Sequence, residues 1–212
     1  DRVVEAMADL ARQAGSSNDT PDETLVTRFV EGDFAAFAEL LERHKERVYR
    51  TMYQFVNHAD DAYDLTQDVF VKVFQGLYTL RDRALFKAWL YRATLNVARS
   101  FLRKRKAAKW KWLPLDLGGG HGSEAASVIQ SMTPPDALEA EEIRLRLARA
   151  VEELPWKYRE VFVLSEYQAL DHNDVGRITG LNPNAVRQRL HVARKMMKEK
   201  LRDLVDAPDP AR

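Results

Sequence analysis

NPNAVRQRLHVARKMMKEK, residues 182–200, has the pattern of an amphipathic helix that begins at a well-formed cap. Asn182 is a preferred N-cap residue, and Pro183 suits the first helical position. Apolar side chains then recur at helical spacing and form one stripe that we expect to be buried. The members of this stripe are Val186, Leu190, Ala193 and Met197. The stretch therefore predicts a helix with one buried face and one polar, basic face.

A second, shorter helix is predicted immediately before it. Asp171 can cap a helix over residues 172–179, and Gly180 can adopt the left-handed conformation that ends it. A helix, a glycine turn and a second helix fit the major groove of DNA, where Arg matches guanine and Gln or Asn matches adenine. The residues predicted to face the DNA are Asn184, Arg187, Gln188, His191, Arg194 and Lys195. For this segment alone, a solvated basic face on an ordinary helix remains the alternative.

Charge is unevenly distributed along the chain, although its sum is small. The 33 Lys and Arg residues nearly balance 32 Asp and Glu residues, which gives a formal net charge of +1. Residues 91–112 carry eight basic side chains and no acidic one, whereas residues 57–70 carry four Asp and no Lys or Arg. Two patches of opposite sign indicate two kinds of partner.

Composition argues against several other classes. The chain has no cysteine, which excludes disulfides, thiol nucleophiles and cysteine-ligated zinc. Asp60, Asp64 and Asp68 are the best candidates for a metal-binding face, but no histidine or second acidic helix accompanies them. We therefore expect no catalytic residues, no metal and no cofactor. Since no apolar run is long enough to span a bilayer and no signal peptide is visible, we also expect a soluble, cytoplasmic protein.

Periodicity predicts an all-α chain with two small helical domains. Residues 1–21 are interpreted as a flexible arm, and residues 22–106 as a three-helix bundle. Its helices run from Asp33 to near Asn57, over 61–78, and from Phe86 into the basic run RKRK. Residues 107–136 lose the period and are rich in Gly, Ser and Pro, which predicts a linker. Four further helices are predicted in 137–205, over 137–154, 156–167, 172–179 and 183–205, before a disordered tail at 206–212.

Three motifs now stand in order along the chain. They are DAYDLTQDVFVKVF at 61–74, FKAWLYRATLNVARSFLRKRK at 86–106, and the stretch from LPWKYREVFVL to MMKEKL at 154–201. Over about residues 25–205 the chain resembles the extracytoplasmic-function (ECF) sigma factors, two-domain bacterial proteins that lend promoter specificity to RNA polymerase. The resemblance implies that residues 22–106 form sigma region 2, which docks on the clamp helices of core polymerase and opens the minus-10 element. Residues 137–205 would form region 4, which rests on the polymerase flap and reads the minus-35 element in double-stranded promoter DNA.

The resemblance also assigns candidate residues in the first domain. Core polymerase would bind Asp61, Asp64, Leu65, Gln67, Asp68 and Phe70, although Asp61 and Asp64 could simply cap their helix. The minus-10 element and the melted non-template strand would fall on the loop at 79–85 and the following helix. The candidates there are Arg81, Asp82, Arg83, Lys87, Arg92, Asn96, Arg99 and Arg103. Trp89 and Tyr91 offer aromatic rings, but a core role is favoured for Trp89.

Some features stand apart from the family pattern or suggest other classes. Three positions differ from the family pattern: Ser100, where an acidic residue is common, Gly176, where alanine is usual, and Val192, where many members have a basic residue. Glycine at position 176 should cost roughly 1 kcal/mol of helix stability. The family further implies a monomer in the holoenzyme and control by an anti-sigma factor. A stand-alone helix-turn-helix regulator is the main alternative, and KWKW at 109–112 as a membrane-surface anchor is a weaker one.

Overall fold

The computed structural model describes residues 20–111 and 135–202, with side chains described for 20–108 and 142–202. These parts are helical and contain no strand, which confirms the all-α expectation. The helices are α1 (Asp22–Val30), α2 (Phe34–Val56), α3 (Ala59–Gly76), α4 (Phe86–Lys111), α5 (Pro135–Glu152), α6 (Trp156–Phe162), α7 (His172–Thr179) and α8 (Pro183–Lys200). The expected flexible arm, most of the expected linker and the expected tail lie outside the described residues, as does Trp112 of the KWKW motif.

The N-terminal unit (residues 20–111) is built around α2. Asp33 caps this helix by accepting hydrogen bonds from the backbone amides of Ala35 and Ala36, and Asn57 ends it with a left-handed φ of 49°. Helices α1, α3 and α4 pack around α2. Phe37 and Phe55, two members of the apolar stripe that periodicity predicted for α2, are fully buried and form part of the core.

Helix α1 is a fourth helix of this unit, in addition to the three that periodicity predicted. It is only nine residues long, and Leu25, Val26 and Phe29 form its buried face. Its first residue, Asp22, accepts hydrogen bonds from Arg43 at 2.8 Å and His44 at 2.7 Å on α2. Three apolar residues are too few to give a clear period, so the helix depends on this packing.

Several helix boundaries also differ from the sequence expectation, and the last helix ends at Lys200 and not at residue 205. Helix α3 begins at Ala59, where the His58 ring accepts a hydrogen bond from the amide of Asp61, so Asp61 and Asp64 do not cap it. Helix α4 continues to Lys111, five residues into the expected linker. The alanines and lysines there favour helix, and the basic residues suit its C-terminal end.

The C-terminal unit (residues 135–202) contains α5 to α8. After α6 the helix widens into one π-helical segment, Val163–Tyr167. Asp171 then caps α7 through the amides of Asn173 and Asp174, and Gly180 ends it with a φ of 76°. Asn182 caps α8 through the amide of Ala185. The predicted helix, glycine turn and helix are therefore present.

The two units pack against each other in this structure. The rings of Phe55 and Trp156 stack with centroids 5.1 Å apart across the contact. Arg159 of α6 is 4% exposed and donates a hydrogen bond of 2.5 Å to the carbonyl of Phe55, with a second to the carbonyl of Gln54 at 3.4 Å. These carbonyls lie in the last turn of α2, where they lack partners within the helix. Arg159 therefore supplies the hydrogen-bond donors for the C-terminal end of α2 in the other unit.

Candidate nucleic-acid and polymerase interface

Helix α8 presents the polar face that its sequence predicted. Val186, Leu190, Ala193 and Met197 are buried. The six candidates for reading DNA are all exposed on the outward side: Asn184, Arg187, Gln188, His191, Arg194 and Lys195. Arg194 also forms an ion pair of 2.7 Å with Glu166 in the same unit. The face is polar and basic, with amide and guanidinium donors suited to base edges in a major groove.

The turn between α7 and α8 depends on Gly176 as well as on Gly180. The carbonyl of Gly176 accepts hydrogen bonds from the amides of Gly180 at 2.8 Å and Leu181 at 3.1 Å. A Cβ atom at residue 176 would lie only 2.6 Å from the carbonyl oxygen of Leu181. Glycine has a low helix propensity, but at position 176 it lets the Leu181 carbonyl approach the α7 backbone, which a Cβ atom would prevent.

The exposed face of α3 combines acidic and apolar side chains. Asp64 and Asp68 are exposed on it, and Gln67 is half-buried between them. Tyr63 and Val71 are 60% and 43% exposed on the same face. Sequence reasoning missed these two, although their spacing from Gln67 places all three on one stripe.

Two residues predicted to contact polymerase are not on that face. Leu65 is 6% exposed and Phe70 is 4% exposed, and both pack in the core of the N-terminal unit. Their place in the apolar stripe of α3 already indicated burial. Neither side chain is available for direct docking in this structure.

The segment between α3 and α4 is an exposed loop with two short 3₁₀ turns, Leu77–Thr79 and Arg83–Leu85. Arg81 and Asp82 are exposed, and Asp82 caps the second turn by accepting a hydrogen bond from the amide of Ala84. Tyr78 and Leu85 are 50% and 43% exposed beside these charges. The loop thus offers cations and apolar surface together.

Helix α4 carries the other candidates for single-strand contact. Lys87, Asn96 and Arg103 are exposed along it. Tyr91 is 2% exposed and donates a hydrogen bond of 3.2 Å to Gln168, and burial raises the pKa of its hydroxyl. Trp89 lies half-buried against Gly76, consistent with a core role. The Tyr91 ring is therefore not free to stack on a base here.

Arg92 and Arg99 of α4 are engaged by the C-terminal unit. Arg92 donates hydrogen bonds to the carbonyls of Arg177 at 2.5 Å and Ile178 at 3.2 Å, at the end of α7. Arg99 forms an ion pair of 2.7 Å with Glu160 and lies 4.9 Å from the centre of the Trp156 ring. The structure therefore places two candidate DNA contacts against the second unit.

The described part of the chain contains neither a metal-binding cluster nor a helix that could span a membrane. Within residues 20–111 and 135–202, no three His, Asp or Glu side chains are grouped so that they could hold a metal ion. Among the described helices, none combines the length and apolar character needed to cross a membrane.

Comparison with known families gives a match for each unit. Residues 40–108 match the family described as Sigma-70 region 2, and residues 144–197 match the family described as Sigma-70, region 4. Together the matches span more than half of the chain. The order and position of the two matches agree with the two helical units.

Curated relatives and solved structures agree with this match. The chain is 28% identical to the ECF RNA polymerase sigma factor SigW of Bacillus subtilis over 82% of this chain and 92% of that protein. It is 28% identical to the ECF RNA polymerase sigma-E factor of Escherichia coli over 89% and 98%. It resembles CnrH, solved in complex with the cytosolic domain of CnrY, with a TM-score of 0.61, 26% identity, and coverage of 89% and 99%. The sigma factor RpoE of Bartonella quintana shares the fold, with a TM-score of 0.57, 20% identity, and coverage of 78% and 96%. The chain therefore belongs to the extracytoplasmic-function sigma factors of the sigma-70 family, a family of transcription initiation factors.

Proposed function

We propose that this chain is the promoter-specificity subunit of an RNA polymerase holoenzyme and is not itself an enzyme. It joins core polymerase as a monomer in the cytoplasm. Residues 22–106 dock on the clamp helices of the polymerase and open the minus-10 element. Residues 137–205 read the minus-35 element beside the polymerase flap, and residues 107–136 link these two domains. The observation that carries the proposal is the presence, in one chain, of an exposed helix-turn-helix and a second unit with an acidic face and a basic helix.

The docking surface on polymerase is assigned to the exposed face of α3. Asp61, Asp64 and Asp68 supply negative charge, and Tyr63 and Val71 supply apolar contact area. An interface of this composition suits a basic helical partner, since charge steers the encounter and the apolar centre excludes water. Leu65 and Phe70 support this face from beneath and do not touch the partner.

Promoter opening is assigned to the loop after α3 and to α4. Arg81 and Arg83 in the loop are assigned to an extruded base and its phosphates, because single strands are held by cations beside apolar or aromatic surface. Lys87, Asn96 and Arg103 continue this surface along α4. Arg92 and Arg99 are assigned to the same surface, and both also contact the C-terminal unit in this structure. Such phosphate contacts strengthen binding without reading sequence.

Control by an anti-sigma factor is also part of the proposal. The Bartonella quintana relative in the fold comparison was solved with an anti-sigma factor, NepR. A protein partner of this kind would have to cover the α3 face or the α8 face, because these surfaces carry the two proposed activities. Competition between that partner and core polymerase is the expected form of regulation.

The test is transcription from purified components. Core polymerase is mixed with this chain and a genomic promoter library, and the 5′ ends of the transcripts are sequenced beside a reaction with core alone. We expect start sites that require the chain and share two upstream elements. No stimulation by the folded chain, together with sequence-specific DNA binding in the absence of polymerase, would favour the stand-alone regulator.

A variant of α8 assigns the minus-35 contact within that assay. Replacing Arg187, Gln188 and His191 with alanine removes three exposed donors without touching the buried stripe. We expect loss of selective initiation with polymerase affinity nearly unchanged. The matched control replaces Lys198 and Glu199, which are exposed in the last turn of α8 and are not among the six candidates, and it should leave selectivity nearly unchanged. Equal loss of polymerase binding and selectivity would refute the assignment.

A further inference from the structure

Helix α8 exposes one large apolar side chain on its otherwise polar surface. In residues 183–200, all of which the structure describes, Val192 is 36% exposed, whereas the other large apolar side chains are buried or half-buried. A single exposed valine is common on protein surfaces. This valine, however, lies on the helix to which the proposed function assigns the reading of DNA, so its neighbours on the helix decide what it can contact.

Val192 lies beside the candidates for base contact. Gln188 precedes it by four residues, which places Val192 about 6 Å further along the helix axis and about 40° further around it. His191 precedes it directly, Lys195 follows it by one turn, and these three neighbours are all exposed. Each base pair of B-DNA occupies about 3.4 Å of the duplex. Val192 therefore lies within about two base pairs of the base that Gln188 would contact.

The side of α8 that carries Val192 is less polar than the opposite side. Ala185 and Met196 share it, because they stand seven residues before and four residues after Val192, and both are half-buried. Arg189 lies next to them, but it is half-buried and forms an ion pair with Glu160 at 3.5 Å. The basic candidates for DNA contact lie on the opposite side of the helix. Val192 is thus the exposed member of an apolar side that offers contact area and no hydrogen bond.

Valine is suited to one chemical feature of the major groove. Thymine presents its C5 methyl group there, and apolar side chains recognise that methyl group by direct contact. The β-branched side chain of valine also has one strongly preferred rotamer in a helix, so its methyl groups are held in place before DNA binds. A basic residue at the same position would instead reach a phosphate or the acceptors of guanine. Position 192 therefore favours an A·T base pair.

We propose that Val192 is a specificity-determining residue for the minus-35 element, and that its methyl groups contact the C5 methyl of a thymine near the base contacted by Gln188. The inference rests on the proposed DNA contact of α8 and adds the identity of one base pair to it. We expect the thymine methyl to strengthen binding roughly 4-fold, the factor that corresponds to the burial of one such group.

Val192→Thr and Val192→Ser form a matched pair of variants, because both introduce one hydroxyl group and only threonine keeps a methyl group. The position is exposed and the helix propensities of the three residues are similar, so both variants should fold, which circular dichroism checks. Ile143→Ser is the control for loss of exposed apolar surface, since Ile143 is 38% exposed on α5 of the same unit.

The first experiment is a selection of bound DNA from a library of randomised duplexes. The parent chain and the three variants are each used alone and together with core polymerase. We expect one position of the selected element where the parent chain, Val192→Thr and Ile143→Ser enrich thymine and Val192→Ser does not. Preferences at the other positions should be the same for all four proteins.

Replacement of thymine by uracil then removes only the methyl group in question. Each thymine of the most enriched duplex is replaced in turn, and affinity is measured by fluorescence anisotropy under the conditions that gave enrichment. At one position the parent chain and Val192→Thr should bind roughly 4-fold more weakly, whereas Val192→Ser should lose little. Equal losses for the parent chain and Val192→Ser at every thymine, or no loss for either, would overturn the inference.

The selection separates this inference from the proposed function. A thymine preference that depends on residue 192 and requires core polymerase supports both. The same preference shown by the chain alone, but not together with core polymerase, supports the role of Val192 and favours the stand-alone regulator. A polymerase-dependent element in which no thymine preference depends on residue 192 overturns the inference and leaves the proposed function standing. No enrichment under either condition contradicts both.

Discussion

At the scale of single residues, Gly176 gives the clearest prediction. Alanine would gain about 1 kcal/mol of helix propensity in α7. Its Cβ, however, would meet the Leu181 carbonyl at 2.6 Å, and backbone has to shift to relieve the contact. We expect Gly176→Ala to lower the free energy of unfolding by about 1–3 kcal/mol, as overpacked sites do. Urea denaturation measures this, with Asn173→Ala on the exposed side of α7 as control. A variant as stable as the parent chain would contradict the prediction.

Asp22 gives a prediction about pH. Burial raises the pKa of its carboxyl, but hydrogen bonds and charge from His44 and Arg43 outweigh this, so the pKa lies below the usual value. A carboxylate with a lowered pKa stabilises the fold above its unfolded pKa of 3.8, and this stability is lost as pH falls through the folded pKa. Asp22→Asn should therefore cost roughly 1–2 kcal/mol at pH 7. The difference from the parent chain should shrink below pH 4, whereas Asp68→Asn should change unfolding little at either pH.

At the scale of elements, α3 has an exposed acidic face and a buried apolar face, and the two faces can be changed separately. Asp64→Lys with Asp68→Lys reverses charge on the exposed face, and we expect the affinity for core polymerase to fall at least tenfold, or about 1.4 kcal/mol, with the helical content unchanged. Glu23→Lys with Glu31→Lys makes the same charge change near α1 and should have a much smaller effect. Polymerase affinity is measured by titration of a labelled chain. Equal loss in both double variants would show a general charge effect and would refute the α3 assignment.

Changes in the buried side of α3 should have a different result. Leu65→Lys or Phe70→Lys places a charge in the core, where both side chains are less than 7% exposed. An unpaired buried charge destabilises by several kcal/mol, so these variants should lose their circular dichroism signal and polymerase binding together. If Phe70→Lys folded and lost only its polymerase binding, that result would support the direct contact between Phe70 and polymerase that the sequence predicted.

Long, regular elements could be predicted from the sequence, whereas short ones could not. The stripes of α2 and α8 and the caps Asp33, Asp171 and Asn182 follow from spacing and side-chain chemistry, and the structure shows each of them. Helix α1 has too few turns to show a period. The close approach at Gly176 involves a residue from the next segment, and no local pattern contains it.

At the scale of the whole molecule, the candidate DNA surfaces could be predicted but their partners within the chain could not. Arg99 is one basic residue in a basic run, and Glu160 lies 61 positions further along the chain. Pairing between such distant positions depends on how the two units pack, which no spacing rule contains. The exposed residues of α8 were predictable for the opposite reason, since one helix is enough to define its own faces.

Arg159 connects the two units, so without it the two units should unfold in separate transitions. Burial lowers the pKa of Arg159 to about 10, and the side chain is therefore charged at neutral pH, where it holds the carbonyls at the end of α2. Replacement by methionine keeps apolar length but leaves those carbonyls without their donor. We expect calorimetry to show one transition for the parent chain and two for Arg159→Met, one for each unit. Arg189→Met should keep the single transition, because Arg189 contacts Glu160 within the C-terminal unit. A single, unshifted transition in Arg159→Met would show that the units do not stabilise each other through this residue.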